Sequence, residues 1–462
     1  MSIENIKSFY FIGAGGIGMS NLIRYFLSLH KQVAGYDRVK SELTTELEQE
    51  GCIIHYEDNL ELIPSFCFPE NKDEVLIVYT PAIPQEHNEL KFFRKNGFRV
   101  VKRAELLWII TRSSKGLCVA GTHGKTTTSS MLAHLLHTSG IGCNAFLGGI
   151  LKNYNSNLII SKTSPYSVIE ADEFDRSFHQ LSPYAAIITA TDPDHLDIYH
   201  TPEAYWESFE HFTSLLHPEG ILLMKKRVHI TPQSPASVRK FSYDMEGEGD
   251  FTARNIRIGG GEIHFDFITP FGAPVCNLNL GVPVKVNIEN AVAALALASL
   301  CGCSEEGLRE GIHSFMGAKR RFDIRVVQGG HIYLDDYGHH PEEIRSSILS
   351  VKSLYPEKKL SVVFQPHLYT RTRDFAPQFA EALSLADEVI LIPIYPAREL
   401  PIEGVCSEMI YNSLTCREKY ICRKEDLMDY ITSRKDWEVL MTLGAGDIDR
   451  FVQPIEHYFL EW

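Results

Sequence analysis

A glycine-rich segment in which a lysine precedes two threonines, Gly121–Thr127, follows an apolar strand-like run and opens a helical pattern. In such loops backbone N–H groups cradle phosphates, the lysine pairs with β- and γ-phosphate oxygens, and a threonine hydroxyl reaches Mg²⁺. A common P-loop has a further glycine where this chain has Val119, so the loop is a shortened variant. The segment predicts ATP binding through Gly121, Thr122, His123, Gly124, Lys125, Thr126 and Thr127.

A second glycine-rich loop lies near the N-terminus, where Gly13–Gly18 matches G-x-G-x-x-G between a strand-like run and a helical pattern. Its glycines let the backbone approach a diphosphate, whose charge the helix dipole stabilises. Asp37 follows at about the distance of the acid that contacts ribose in dinucleotide folds. NAD(P) is the usual ligand of this pattern, but any nucleotide diphosphate satisfies the same physics. A glycine turn that packs a strand on a helix also fits.

Acidic residues follow two further apolar strand patterns in the middle of the chain. Glu170–Glu173 comes directly after the first, and Asp192–Asp197, which includes His195, follows the second, Tyr184–Ala190. Ligands of open α/β sheets bind beyond the carboxyl ends of strands, and a carboxylate there is a natural Mg²⁺ ligand beside a P-loop hydroxyl. A solvated acidic turn fits Glu170–Glu173 as well. His195 would be either a ligand of a second metal or a structural turn histidine.

The composition limits the classes of protein that carry these loops. The chain has 462 residues, which suggests three domains, and its 44% hydrophobic and 23% charged residues are ordinary for a globular protein. The 45 Lys and Arg against 59 Asp and Glu leave a net charge of −14, which excludes a general nucleic-acid or membrane-surface binder. Anionic ligands must therefore be held by local sites such as loops and helix N-termini.

The cellular compartment follows from what the sequence lacks. No apolar run approaches the roughly 20 residues that span a bilayer, and the N-terminus has no signal-peptide pattern. The ten cysteines form no C-x-x-C pair, which argues against zinc and a disulfide framework. We expect a cytoplasmic monomer or weak homo-oligomer with no nucleic-acid or membrane partner.

Short β-rich runs alternate with helical patterns along the chain, which predicts an α/β fold with parallel sheets. We expect three domains, residues 1–113, 114–320 and 321–462, with a β-rich excursion over Phe251–Leu280 in the second. Their core units begin with the strands Ser8–Ile12, Gly116–Ala120 and His331–Asp335. Further expected elements are the helices Met19–His30, Ala291–Leu300 and Pro341–Leu354 and the strands Leu360–Phe364, Glu388–Pro393 and Val439–Leu443.

Taken in order, these motifs and several later ones resemble those of the Mur ligase family over nearly the whole chain. The resemblance implies a Rossmann-like N-terminal domain for a UDP-sugar, a P-loop-type central domain with a mostly parallel sheet for ATP, and a Rossmann-like C-terminal domain for an amino acid. It favours UDP over NAD at the N-terminal glycine loop. The matching segments are Gly13–Met19, Gly121–Thr128, Glu170–Glu173, Asp194–Asp197, Asn287–Ala291, Arg320–Asp323, Asp335–Pro341, Gln365–His367, Tyr369–Arg371 and Gly444–Ile448.

The alanine-adding branch of the family is matched most closely, by Gly15–Met19 and by Tyr337-Gly338. It implies an ATP-dependent ligase that joins L-alanine to the carboxylate of UDP-N-acetylmuramate through an acyl phosphate, in peptidoglycan precursor synthesis, with Mg²⁺ as cofactor. The nearest rival is a recycling ligase that adds a tripeptide to the same sugar nucleotide. An NAD-dependent dehydrogenase would use only the N-terminal glycine loop and Asp37. An ATP-gated binding protein would bind ATP without multiple turnovers.

The resemblance also assigns roles to individual residues. Lys125 would hold the transferring phosphate, while Thr126 and Glu170 would hold one Mg²⁺. His195 would help to carry a second Mg²⁺. The remaining implied contacts to ATP are Asn287 and Asn290 near the adenine, and Arg321 and Asp336.

The two substrates would be bound at opposite ends of the chain. The residues implied for UDP-N-acetylmuramate are Gly13, Gly15, Gly16, Ile17, Gly18, Met19 and Asp37, with the segment Thr80-Pro81-Ala82-Ile83. Those implied for the amino-acid side are Tyr337, His339, His340, His367 and Arg371, with His340 as the candidate general base.

Structural roles fit some of these positions as well. His339 and His340 would cap the helix that begins near Pro341, and Arg321 would brace a hinge. Asn287 would be the N-cap of the alanine-rich helix.

Two positions depart from the family pattern. Val286 stands where a histidine usually precedes the first of the paired asparagines, so a nucleotide contact would be missing or supplied elsewhere. Leu368 stands where an arginine is common, so any anion contact from that side chain is lost.

Overall fold

The computed structural model describes residues 5–80, 82–112, 114–397 and 399–461. Helices and strands alternate along the chain, and the strands of the described residues form three sheets. This confirms the expected three-part α/β fold. By compactness the chain divides into two units. The first comprises Met1–Arg254, Asp266–Leu278 and Glu289–Phe315, and the second comprises Asn255–Phe265, Asn279–Ile288 and Met316–Trp462.

The first sheet has five strands in the order β3-β2-β1-β4-β5, and its four pairings are parallel. The central strand, Ser-Phe-Tyr-Phe-Ile, and one of its neighbours, Val-Leu-Ile-Val-Tyr, are buried at every position, as in a parallel sheet covered on both faces. This topology places the N-terminal glycine loop at the carboxyl end of the central strand. The elements are β1 Ser8–Ile12, α1 Ile17–Ser28, β2 Gln32–Tyr36, α2 Glu42–Gln49, β3 Ile53–His55, β4 Val75–Tyr79, α3 Asn88–Lys95, β5 Arg99–Lys102 and α4 Arg103–Thr111.

The second sheet has ten strands in the order β15-β14-β13-β12-β11-β10-β6-β9-β7-β8. Its centre is parallel, β7 and β8 form an antiparallel pair, and the expected β-rich excursion supplies β13–β15 at the other end. The P-loop follows the central strand β6. The elements are β6 Lys115–Ala120, α5 Lys125–Thr138, β7 Asn144–Leu151, β8 Ser156–Ile159, β9 Tyr166–Ala171, β10 Pro183–Ile188, α6 Leu196–Tyr199, α7 Pro202–Ser214, β11 Ile221–Lys225, β12 Arg239–Asp244, β13 Phe251–Gly259, β14 Glu262–Ile268, β15 Val275–Asn279, α8 Lys285–Leu300 and α9 Glu305–Ser314.

The third sheet has six strands in the order β16-β17-β21-β18-β19-β20, parallel except for the first pair. Its central strands are apolar and buried, so the polar residues that follow them gather at one edge. The elements are β16 Asp323–Gln328, β17 His331–Asp336, α10 Pro341–Leu354, β18 Leu360–Phe364, α11 Tyr369–Leu383, β19 Glu388–Leu391, α12 Glu408–Ser413, β20 Glu418–Ile421, α13 Leu427–Thr432, β21 Val439–Leu443 and α14 Val452–Leu460.

Some expected element bounds were wrong. The helix expected over Ala291–Leu300 begins at Lys285, because its polar first turn does not show in the apolar pattern. Asn287 therefore lies inside that turn rather than at the N-cap, and its amide donates to the Val282 carbonyl at 3.3 Å. Glu170 is the penultimate residue of β9 instead of following it. The strands expected over Tyr184–Ala190 and Glu388–Pro393 end at Ile188 and Leu391.

The proposed domain boundaries at 113/114 and 320/321 stay a prediction, and Ser113 lies outside the described residues. Among the described residues, no helix is both long and apolar enough to cross a membrane.

A buried polar cluster fixes the helix that follows the P-loop. His134 of α5 has a partner on each ring nitrogen, with Nδ1 2.6 Å from the Tyr154 hydroxyl and Nε2 2.9 Å from Ser314 Oγ. Burial lowers the pKa of His134 from 6.5 to about 4. The folded protein therefore holds this ring neutral where the unfolded chain would take up a proton.

We expect this histidine to make the protein less stable in mild acid. Below pH 6.5 the unfolded chain binds a proton at His134 that the folded protein does not bind until about pH 4. The free energy of unfolding therefore falls as the pH drops through that range. In urea unfolding, the free energy of unfolding of the parent should fall by about 2 kcal/mol more than that of His134→Gln between roughly pH 7.5 and pH 5. The exposed His457→Gln should follow the parent at both pH values. An unchanged pH dependence in His134→Gln would contradict the assignment.

Candidate active site

The N-terminal glycine loop is held by the residues predicted to form the sugar-nucleotide face. The Gly15 N–H donates to Asp37 Oδ2 at 2.7 Å, and the N–H groups of Gly13 and Ala14 donate to the Tyr36 carbonyl. Gly13 has φ +93°, and a Cβ there would lie 2.5 Å from Thr80 Cγ2 and 3.6 Å from Ile83. The structure thus brings Asp37, Thr80 and Ile83 to this loop.

The other residues predicted for this face begin α1 or follow β4. Gly16 is the N-cap of α1, Ile17 and Ala82 are exposed, Met19 is buried, and Pro81 lies outside the described residues. A Cβ at Gly18 would lie 2.5 Å from Arg103 Nη1. Sequence reasoning missed Arg103, which also lies 3.7 Å from Asp172 Oδ2. Only the fold brings this cation from the start of α4 to the loop.

The P-loop has the backbone that its glycines require. Gly121 and Gly124 have φ +143° and +80°, and a Cβ would lie 2.1 Å from Thr189 Oγ1 at the first and 2.7 Å from Asn290 Oδ1 at the second. Asn290 also accepts a hydrogen bond from Thr128 Oγ1 at 3.2 Å, so this predicted adenine contact does lie against the loop. Thr127 is half-buried and His123 exposed.

A cavity of about 380 Å³ opens beside the P-loop at the carboxyl ends of β10, β11 and β12. The loop is tied to this side by Thr122, whose N–H donates to the Ala190 carbonyl and whose hydroxyl donates to the Asp192 carbonyl at 2.7 Å. In the sheet order, β10 and β9 flank β6 on opposite sides, so the cavity and Glu170 lie on opposite sides of the loop.

Lys125 is held by a carboxylate to which sequence reasoning gave no role. Its Nζ lies 2.8 Å from Glu173 Oε1 and 2.7 Å from Oε2, and it donates to the Gly121 carbonyl at 2.6 Å. The Glu173 side chain is 2% exposed, and burial raises its pKa while the ammonium of Lys125 opposes that shift. The hydroxyl of Tyr199 donates to the Glu173 carbonyl. Glu173 follows β9 by two residues, and no spacing in the sequence joins it to Lys125.

The two predicted ligands of the first Mg²⁺ lie together. The Thr126 hydroxyl donates to Glu170 Oε1 at 3.0 Å, and Glu170 Oε2 accepts the Gly148 N–H at 3.0 Å. Mg²⁺ takes one or two protein oxygens and completes its shell with phosphates and water, so this oxygen pair fits it.

His195, predicted to carry a second metal, has φ +53° and faces acids. Its Nε2 lies 3.9 Å from Glu173 Oε1 and 3.8 Å from Asp194 Oδ2. Within the part of the chain that the structure describes, no three His, Cys, Asp or Glu side chains are grouped as a metal site on their own. A second Mg²⁺ would therefore need most of its ligands from phosphate and water.

Gly148 leaves no space for a side chain beside Glu170, because a Cβ there would lie 2.3 Å from Oε2. We expect Gly148→Ala to displace the carboxylate and to raise the half-saturating Mg²⁺ concentration for phosphate release about tenfold, as loss of a ligand's partner does. Gly116→Ala in β6, which pairs with β9 on the side away from β7, is the control, since a Cβ there would make ordinary contacts from 3.4 Å outward. Equal Mg²⁺ dependence in the two variants would show that Glu170 is not a ligand.

In the second unit, arginines and buried acids surround Tyr337. Asp336 is buried, accepts from Ser347 Oγ and from the Phe322 N–H, and its pKa is raised by that burial. The guanidinium groups of Arg320 and Arg321 lie 5.4 and 5.2 Å from the Tyr337 ring centre. Arg321 and Asp336, both predicted to contact ATP, thus lie in one cluster, to which Arg320 belongs through its 3.0 Å pair with buried Asp335.

Four of the five residues predicted for the amino-acid side, His339, His340, His367 and Arg371, lie near the starts of α10 and α11. His340 is the N-cap residue of α10, as expected, and it forms a capping box with Glu343, whose carboxylate accepts the N–H groups of His339 and His340. The His339 and His367 rings lie 5.9 Å apart. Burial lowers the pKa of His339, and it lowers the pKa of His367 to about 4.

Two nitrogens in this cluster are buried without a hydrogen-bond partner among the described residues, Nδ1 of His367 and Nη1 of Arg371. Sequence reasoning missed Tyr395, which stacks on His367 at 5.8 Å, and Glu399, whose carboxylate accepts the Thr370 N–H at 3.0 Å. A buried, unpaired pair of nitrogens beside an aromatic wall can bind a small carboxylate.

The departures have structural consequences. Leu368 adopts φ +70° directly before α11, and its N–H donates to the Tyr395 carbonyl. Val286 lies in the first turn of α8 and is largely exposed.

Comparison with known proteins agrees with the motifs. Three family models match consecutive parts of the chain: the Mur ligase family catalytic domain over residues 8–115, the Mur ligase middle domain over 119–298 and the Mur ligase glutamate ligase domain over 320–446. The UDP-N-acetylmuramate–L-alanine ligase of Phocaeicola vulgatus is 58% identical over 98% of both chains. That of Porphyromonas gingivalis is 50% identical over 98% of this chain and 99% of its own. A crystal structure of the UDP-N-acetylmuramate-alanine ligase of Thermotoga maritima aligns with a TM-score of 0.83 at 26% identity, over 98% of this chain and 99% of that one.

Proposed function

Because this chain belongs to the Mur ligase family, we propose that it joins L-alanine to the carboxylate of UDP-N-acetylmuramate with conversion of ATP to ADP and phosphate, in peptidoglycan precursor synthesis. The observation that carries this proposal is the 58% identity, over nearly the full length of both chains, to a ligase of that name. The geometry of the P-loop, Lys125 and the Thr126–Glu170 pair supports it, since phosphoryl transfer needs these groups.

ATP is needed because a carboxylate at neutral pH does not condense with an amine. A carboxylate oxygen of the sugar nucleotide attacks the γ-phosphorus, and ADP leaves, which gives an acyl phosphate. The free amine of L-alanine then attacks the acyl carbon, and the tetrahedral adduct collapses to the amide with loss of inorganic phosphate. That phosphate carries one oxygen from the original carboxylate.

Lys125 would hold the transferring phosphoryl group. The ammonium now paired with Glu173 would contact γ-phosphate oxygens as negative charge shifts between carboxylate and phosphate. Thr126 and Glu170 would hold one Mg²⁺ and His195 would contribute to a second, and the metal would neutralise phosphate charge. Asn287, Asn290, Arg321 and Asp336 would complete the contacts to ATP.

The sugar nucleotide would lie on the N-terminal glycine loop. Its diphosphate would meet backbone N–H groups at the start of α1. Asp37, Thr80, Ala82 and Ile83 would line its nucleoside side. The carboxylate of Asp37 shapes this loop by accepting the Gly15 N–H, so it is expected to act on diphosphate binding through the loop backbone.

The amino acid would be bound in the second unit. Arg371 Nη1 and His367 Nδ1, both buried and unpaired, would bind the carboxylate of L-alanine, and Tyr337 and Tyr395 would limit the size of its side chain. The lowered pKa of His339 keeps that ring neutral at pH 7, so that it is able to accept the amine proton. His340, the base expected from the sequence, packs its ring on Phe375 and remains the second candidate.

We also propose that the reaction takes place in the cytoplasm and that the enzyme acts as a monomer or weak homo-oligomer without a nucleic-acid or membrane partner. The net charge of −14 supports the absence of a general polyanion-binding surface.

Phosphate release with each substrate omitted in turn tests the function. Full dependence on ATP, UDP-N-acetylmuramate and L-alanine together is the expected result. Turnover with a tripeptide but not with L-alanine would establish the recycling ligase instead, and a change in nicotinamide absorbance would establish a dehydrogenase. With ¹⁸O in the sugar-nucleotide carboxylate, the released phosphate should contain the label, and unlabelled phosphate would exclude the acyl phosphate.

A further inference from the structure

Two asparagines tie the helix of the N-terminal glycine loop to the hairpin beside Glu170. The first, Asn21 of α1, is 2% exposed, and its amide Nδ2 donates to the Leu147 carbonyl of β7 at 3.2 Å. Its Oδ1 is buried without a hydrogen-bond partner among the described residues. A half-satisfied buried amide costs stability compared with an apolar side chain. Asn21 is therefore a poor choice for packing alone.

Gly148, the residue after Leu147, connects the Asn21 contact to Glu170. The pairing of β7 with β8 shifts register between Phe146 and Leu151, and its pairing with β9 extends only to Phe146. Irregular pairing releases backbone groups from the ladder. The released Leu147 carbonyl accepts from Asn21, and the released Gly148 N–H donates to Glu170 Oε2.

The second tie is made by Asn157 of β8, which is fully buried. Its Nδ2 donates to the Ile17 carbonyl at 2.7 Å and to Ser20 Oγ at 2.9 Å, in the first turn of α1. Its Oδ1 accepts from Arg24 Nη1 at 3.1 Å. Arg24 is itself fixed by two carboxylates, Glu46 and Glu50. The first turn of α1 is thus bound to the same hairpin that supports Glu170.

We propose that Asn21 and Asn157 are positioning residues that set the place of the N-terminal glycine loop relative to Glu170 and the P-loop. The proposal rests on the proposed function, in which the sugar nucleotide lies on the first and the transferring phosphate and Mg²⁺ on the second. Reacting atoms must lie about 3–3.5 Å apart, and a 1 Å misplacement costs about a hundredfold in rate. Both asparagines act through the hairpin and need no contact with either ligand.

Asn21→Leu tests the proposal, because leucine fills a similar volume and removes the donor. We expect the KM for UDP-N-acetylmuramate to change by less than about twofold, while kcat falls about tenfold or more. The dissociation constant of Mn²⁺ in the presence of ADP, measured by electron paramagnetic resonance, should rise about tenfold because the partner of Glu170 is loosened. The melting temperature should stay within a few degrees of the parent value.

The matched control is Asn153→Ala in the same hairpin, whose amide donates away from α1 to the Ser314 carbonyl at 2.8 Å. It should keep the kcat and Mn²⁺ affinity of the parent. If Asn21→Leu does not fold, Asn157→Leu serves in its place. The proposal would be overturned if Asn21→Leu kept the kcat and Mn²⁺ affinity of the parent. It would also be overturned if Asn153→Ala lost as much of both as Asn21→Leu does. A parent protein without alanine-dependent phosphate release would refute the proposed function instead, and the Mn²⁺ measurement needs no turnover.

Discussion

Lys125→Ala is expected to lower kcat for phosphate release about a thousandfold or more, because the charge that meets the γ-phosphoryl group is removed. Binding of UDP-N-acetylmuramate should remain within about twofold of the parent in calorimetry, since the N-terminal glycine loop keeps its backbone contacts with Asp37 and Tyr36. The kinetics are measured by phosphate release at saturating substrates. Near-normal release in this variant would remove Lys125 from the mechanism.

The same change should also affect folding, which calls for two controls. Without the ammonium of Lys125 the buried Glu173 carboxylate is uncompensated, so its pKa should rise further and the protein should become less stable. Lys125→Arg keeps the positive charge and should recover stability more than turnover. Lys115→Ala removes an exposed lysine that lies over the Tyr184 ring, and it should keep both.

The two glycine loops were predictable because their chemistry is local. The pattern from Gly121 to Thr127 specifies a positive-φ glycine, a phosphate-facing backbone and a lysine in one short stretch, and the structure has Gly124 at the N-cap of α5 as that pattern requires. The strand Ser8–Ile12 and the helix Pro341–Leu354 were predicted with their exact ends, since continuous apolar runs and a proline at the first helical position are strong signals.

The partners of the candidate site residues were not predictable, since they come from distant segments. Glu173 lies 48 residues from Lys125 in the chain, and no spacing rule joins an acid after one strand to a lysine after another. The Arg103 side chain lies beside Gly18 although the two residues are far apart in the chain, so only the fold brings them together. The irregular pairing of β7 that frees Gly148 depends on both neighbouring strands, so the glycine pair in the sequence does not reveal it.

The start of α8 was also not predictable from the local sequence pattern. The apolar stretch from Ala291 onward marks the interior of α8, but its first turn, from Lys285 to Asn290, reads as a loop. That turn brings Asn290 against Gly124 of the P-loop, a contact that depends on the helix start and the fold together. The family resemblance supplied the position, while the periodicity alone did not.

The second large effect of a substitution is expected at the amino-acid subsite, because Arg371 has a buried nitrogen with no hydrogen-bond partner among the described residues. A buried, unpaired guanidinium nitrogen is costly unless a ligand satisfies it. Its neighbour His367 offers a second such nitrogen and is held neutral, since its pKa is lowered to about 4 by burial and by nearby His339 and Arg371. Arg371 therefore supplies the positive charge of the pair at neutral pH.

We expect Arg371→Ala to raise the KM for L-alanine about a hundredfold, because truncating one partner of a buried charge pair costs about 2–5 kcal/mol. The KM values for ATP and UDP-N-acetylmuramate should stay within about threefold, since neither substrate is assigned to this nitrogen; all three are measured by phosphate release with the other two substrates saturating. Arg373→Ala is the matched control, because Arg373 lies two residues after Arg371 in the same helix. It is exposed and pairs with Asp374 at 2.7 Å. A parent-like KM for L-alanine in Arg371→Ala would place the amino acid elsewhere. A comparable rise in Arg373→Ala would show instead that the loss reflects long-range charge rather than contact with the substrate carboxylate.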